Sequence, residues 1–99
     1  MKKVEEFLIH NTVTSIDIVE DQVSISFVDG CRLNLFNPVI IHQADSFVGR
    51  KVTSVEFHDE YLLLVFDFTV EVMMSLKDAD YSGPEALSFR SGSGEIIVL

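Results

Sequence analysis

The spacing of apolar residues along the chain changes near residue 12. Before that point, Val4, Phe7 and Leu8 fall at i, i+3 and i+4, which places them on one helix face and predicts a short amphipathic N-terminal helix within residues 1–10. After it the period drops to two. Val23, Ile25 and Phe27 alternate with Ser24 and Ser26, and Leu33 and Leu35 alternate with Arg32 and Asn34. Successive strand side chains point to opposite faces, so these runs predict half-buried strands. Asp29-Gly30 between them supplies the backbone freedom of a tight hairpin turn.

The pattern then recurs. Residues 13–36 lie over residues 52–75 at an offset of 39 without a gap. Val13-Thr14-Ser15 falls on Val52-Thr53-Ser54, Asp17 on Glu56, Glu20-Asp21 on Asp59-Glu60, Val23 on Leu62, Ile25 on Leu64 and Phe27 on Phe66. Because the register runs through turns as well as strands, it predicts an internal duplication, each copy an antiparallel meander of three strands. Between the copies, Pro38 and Val39-Ile40-Ile41 fit either an extension of the third strand or a short crossover. A polar loop from Lys77 to Pro84 follows the second copy. Two short runs, 85–90 and 95–99, then flank Ser91-Gly92-Ser93-Gly94 and predict a terminal hairpin with a flexible turn. The expected fold is mainly β: an antiparallel barrel or sandwich of about seven or eight strands plus the N-terminal helix, forming one domain over residues 1–99. An approximate twofold axis should relate the two meanders.

The copies differ on one face. Ser24, Ser26 and Asn34 of the first correspond to Leu63, Val65 and Met73 of the second. A sheet apolar on both faces must be covered on both. The cover is the helix, through Phe7 and Leu8, a second copy of the chain, or both at once, so Leu63, Val65, Met73, Phe7 and Leu8 are the candidate interface residues of a homodimer.

Composition sharpens this picture. The 99 residues suffice for one core, and 47% of them are hydrophobic, with mean hydropathy +0.30, which again points to self-association. Seven basic against sixteen acidic residues give a net charge of -9, which repels phosphate backbones and anionic lipid headgroups. Nucleic acid and membrane surfaces are therefore not expected as partners, whereas a basic protein is compatible. Cys31 stands alone, so no internal disulfide forms, which fits a reducing compartment. The apolar stretch Leu62–Phe66 is far shorter than the roughly 20 residues that cross a bilayer. Glu5 and Glu6 interrupt the run a secretory signal needs. Cytoplasmic residence is the resulting expectation.

Candidate chemistry is sparse. Asp78-Ala79-Asp80-Tyr81-Ser82-Gly83 opens like a calcium loop, but the twelfth position, which should supply a bidentate carboxylate, is Phe89. His10, His42 and His58 are too dispersed for a zinc motif, and the His58-Asp59-Glu60 trio reads as turn chemistry. No nucleophile elbow or phosphate-cradling glycine loop is present. Cys31 aligns with Val70 and is expected to be a buried, inert thiol. No catalytic residue, metal or cofactor is assigned from the sequence.

Tyr81-Ser82-Gly83-Pro84-Glu85-Ala86-Leu87, the Gly94-Glu95-Ile96-Ile97-Val98 ending and the Phe27-x-Asp29-Gly30-x-x-Leu33 pattern together resemble a group of small bacterial β-domain proteins of uncharacterised function. The resemblance implies no activity or cofactor. Phe68-Thr69, where Asp29-Gly30 stands in the first copy, departs from its turn pattern. The functional expectation is a non-catalytic protein-interaction module acting as a homo-oligomer, with a small-ligand binding β-barrel as the alternative and a small enzyme as a third class.

Overall fold

In the computed structural model, which describes residues 3–20, 22–42 and 46–99, the alternating segments pair as antiparallel strands. The first meander is β1 (Val13–Val19), β2 (Gln22–Phe27) and β3 (Arg32–Leu35); the second is β5 (Val52–Phe57), β6 (Tyr61–Phe66) and β7 (Val70–Ser75). Their ladders coincide position by position at the offset of 39. Ile16 faces Ile25 as Val55 faces Leu64, Val23 faces Leu35 as Leu62 faces Met74, and Ile25 faces Leu33 as Leu64 faces Val72. Even the irregularities correspond, since β1 shifts register between Val13 and Ser15 and β5 between Val52 and Ser54.

Each meander gains a fourth strand from the other half of the chain. β4 (Val39–His42), which follows the first meander, pairs with β7 of the second. β8 (Leu87–Arg90), which follows the second, pairs with β3 of the first. The two additions are equivalent: Val39, Ile40 and Ile41 oppose Met74, Met73 and Val72, just as Leu87, Ser88 and Phe89 oppose Leu35, Asn34 and Leu33. β9 (Ile96–Val98) then pairs with β8. Two open sheets result, ordered β1-β2-β3-β8-β9 and β4-β7-β6-β5. The described residues thus hold nine strands, the ninth being β4, which the sequence pattern left between two readings.

The core lies between the sheets. Ile25, Leu33, Leu35 and Phe89 of one meet Leu62, Leu64, Phe66, Val72 and Met74 of the other. Burying each such side chain contributes roughly 1.5–3 kcal/mol. The helix α1 spans only Val4–Leu8, shorter than the predicted segment. Five residues do not sustain a helix alone; burial of Val4 and Leu8 in the same core and a tilted ring contact of Phe7 with Phe89, ring centroids 5.1 Å apart, hold it.

The turns show where the two meanders part. In the first, Gly30 N donates to Phe27 O at 3.1 Å and Gly30 has φ 91°. In the second, Thr69 N donates to Phe66 O at 3.1 Å, but the positive φ values fall on Asp67 (51°) and Phe68 (63°), the signature of a type I′ turn. The terminal turn is closed by hydrogen bonds between Ser91 and Glu95. Ser91 is buried, its N donates to Glu95 O at 2.8 Å, and its Oγ accepts from Glu95 N at 3.0 Å.

Candidate interaction surface

Residues on the outward face of a sheet meet across strands in rows. In the first sheet one such row is Ser24, Asn34 and Ser88. Its side chains satisfy one another: Ser24 Oγ donates to Asn34 Oδ1 at 2.7 Å and Asn34 Nδ2 donates to Ser88 Oγ at 3.1 Å. The equivalent row of the second sheet is Leu63, Met73 and Ile40. The same backbone geometry therefore carries a polar ladder on one side of the molecule and an aliphatic strip on the other. Leu63, Met73 and the neighbouring Val65 are half-buried, while Ile40 is 57% exposed. None of the four packs against the core.

Three of the five candidate interface residues thus lie together on this strip. Phe7 and Leu8 do not. Leu8 is 0% exposed within a single chain, so it has no surface to offer a partner, and Phe7 is turned onto Phe89 of the opposite sheet. The helix is drawn between the sheets because its few apolar side chains gain more burial at the core's open margin than on an outer face. Ile40 was not among the candidates. The signal for it was the apolar run after Pro38, whose match to Ser88 becomes visible only once β4 and β8 are seen to hold equivalent places.

Around Pro38 the surface is concave. Depressions of about 350, 340 and 210 Å³ share it. The first adds Ile40, Tyr61 and Met73 with Glu60, Lys77 and Asp80; the last adds Ile18, Val23, Val39 and Ile41 with Glu20. Asn37 beside it is fully buried; its Nδ2 donates to Ser75 O at 2.8 Å and its Oδ1 has no partner.

Cys31 is buried, as its alignment with Val70 implied. Burial first, then the adjoining Asp29 carboxylate, push its thiol pKa upward. Asp29 Oδ1 accepts from Cys31 N at 3.0 Å and Oδ2 from the thiol at 3.3 Å. Desolvation works against the Asp29 charge, but hydrogen bonds from Asn11 and from Cys31 outweigh it and hold the carboxyl below its ordinary value.

His58 Nε2 lies 3.1 Å from Glu56 Oε1, and its ring stacks on Tyr61. Glu60 pairs with Lys77 at 3.8 Å. Asp21, and with it half of the Glu20-Asp21 corner, lies outside the described residues, as does the side chain of His42. Asp78–Asp80 forms a 3-10 turn in which Asp80 accepts from Ser75 Oγ, and Phe89, at the twelfth position of the calcium-like segment, is in the core. Among the described residues, no three of His, Cys, Asp and Glu gather in a metal-sized group, and no helix is long and apolar enough to cross a membrane. Comparison with protein-family models, curated proteins and solved structures finds no match, so the functional reading rests on the chain's own geometry.

Proposed function

We propose that the chain is a non-catalytic protein-interaction module, arisen by internal duplication and acting as a homodimer in a cytoplasmic setting. The observation that carries this reading is the Leu63-Met73-Ile40 row standing where the first sheet has its hydrogen-bonded Ser24-Asn34-Ser88 ladder. The strand geometry tolerates polar side chains at these positions, so the aliphatic ones answer to something outside the sheet. A twofold contact uses one patch twice and buries it against itself. The aromatic and aliphatic side chains filling the space between the sheets favour this reading over a ligand-holding barrel, which requires a hollow interior. Phe57, at the end of β5, takes no part in this filling and stands 39% exposed.

Analytical ultracentrifugation tests the dimer. The wild type should sediment at twice the chain mass at micromolar concentration. Leu63→Ser combined with Met73→Asn, which restores the polar row of the first sheet, should sediment as a folded monomer, and Val65→Glu should do the same or lose solubility, because an unpaired buried carboxylate is costly. A monomeric wild type overturns the dimer.

A further inference from the structure

β4 and β8 are equivalent strands with different far sides. On β8 the outer edge is taken by the chain's own end: Leu99 N donates to Leu87 O at 3.0 Å, Leu87 N donates to Leu99 O at 3.1 Å, and Ile97 lies opposite Phe89. In an antiparallel ladder, alternate residues turn their backbone groups to opposite neighbours. The bond from Ser75 N to Pro38 O, 3.0 Å, sets the phase on β4, so Ile40 addresses β7 while the N–H and C=O of Val39 and Ile41 face outward. Val39 and Ile41 are the counterparts of Leu87 and Phe89, yet no strand among the described residues lies on their outward side, away from β7.

Exposed edges invite strand addition, and proteins usually blunt them. β1 and β5 each begin with a register shift, α1 lies beside β5, and β9 is three residues long. β4 has no register shift and no charge in Val39-Ile40-Ile41. Beneath it, Ile18, Val23, Val39 and Ile41 line the 210 Å³ groove with Glu20 at its rim. At the β8 edge the equivalent space is filled, Phe7 resting on Phe89 and Ile97 packing on the core. The surroundings of β4 are acidic: Glu20, Glu60 and Asp80 line the adjoining depressions, Glu71 opposes His42, and Lys77, the one base lining them among the described residues, is already paired with Glu60.

We infer that the free edge of β4 binds an extended segment of a partner protein, added antiparallel as β9 is added to β8, with an aliphatic residue facing the groove and Lys or Arg on either side of it. The inference rests on the interaction-module reading and is independent of the dimer. A second copy of this chain added at this edge would bring its own Glu20 to the groove lined by Glu20, where like charges repel; a basic segment meets opposite charge. Backbone bonds supply the attachment and the alternating side chains supply the choice of partner.

The test uses the full chain and the synthetic peptide acetyl-Val-Lys-Ile-Lys-Val-amide, followed by amide NMR shifts and hydrogen exchange. Shifts should centre on residues 39–41, and exchange at the Val39 and Ile41 amides should slow. The same peptide with Glu in place of Lys, and one N-methylated on its central Ile, should bind at least about tenfold more weakly, since each removes one named source of affinity. Glu20→Lys, on an exposed side chain, should weaken the Lys peptide several-fold. Absence of binding, equal binding of the Glu peptide, or shifts centred elsewhere overturns the inference. So does protection of Val39 and Ile41 that rises with protein concentration alone, which would place a second copy on the edge. Sedimentation separates the two ideas: a monomer that binds the peptide removes only the dimer, and a dimer that ignores it removes only the strand site.

Discussion

Thr12 and Lys51 stand at equivalent positions of the two halves and pair with each other in an antiparallel bridge. A position paired with its own counterpart places a local twofold between them, and the neighbouring bonds obey it. Val13 N donates to Arg50 O and Val52 N to Asn11 O, both at 2.9 Å; Gly49 N donates to Val13 O and His10 N to Val52 O, both at 2.8 Å. His10 and Gly49, themselves counterparts, share a positive φ of 69° and 89°. The seam joins the two sheets at the starts of β1 and β5, beside the bonds that hold Asn11, Asp29 and Cys31.

A steric limit sits close to this cluster. A Cβ added at Gly92 would fall 2.3 Å from the carbonyl oxygen of Asp29, where backbone has little room to yield. Gly92→Ala should therefore lower stability by about 1–3 kcal/mol, while Gly83→Ala, with nothing within 4 Å, should change it by under about 0.5 kcal/mol. Urea unfolding midpoints of the two variants check the contrast; equal midpoints would show that the terminal turn moves freely off the Asp29 carbonyl.

Phe68 donates its backbone N–H to Thr53 Oγ1 at 3.1 Å, but its ring lies outside the core formed by the described residues. It is 84% exposed and held at φ 63°, a region costly for a residue with a Cβ. Phe68→Gly creates an Asp-Gly turn suited to that geometry and should raise stability by about 0.5–1 kcal/mol. A thermal midpoint that fails to rise would mean that the ring is buried in a contact made by the associated protein.

Cys31 should react slowly with a thiol reagent in the native protein and rapidly in denaturant, because burial and Asp29 disfavour its thiolate. Fast native labelling would contradict this. Asp29 adds a pH dependence. Its folded carboxyl sits below the ordinary value, so the unfolded chain takes up the proton first. The contribution is present above the ordinary carboxylate range and is lost as pH falls toward the lowered folded value. Asp29→Asn should therefore lose less stability than the wild type between neutral pH and about pH 3, measured as the change in urea midpoint, and should label faster at Cys31.

The two meanders and the contrast between their outer faces were legible in the sequence because both rest on local rules. A period of two fixes which side chains share a face, and an unbroken offset of 39 carries that assignment from Ser24 and Asn34 to Leu63 and Met73. Tertiary structure alone decided the rest. β4 and β8 are related by an offset of 48 instead of 39, since the second connection is longer, so comparing the chain with itself at one offset misses them. Their partners lie in the opposite meander, and pairing between distant segments depends on hydrogen-bonding edges that exist only once the sheets have formed. The helix follows the same logic. Val4, Phe7 and Leu8 define an apolar stripe that would fit either an outer sheet face or the core margin, and the greater burial between the sheets decided where it lies, leaving Leu63, Val65, Met73 and Ile40 without cover from it.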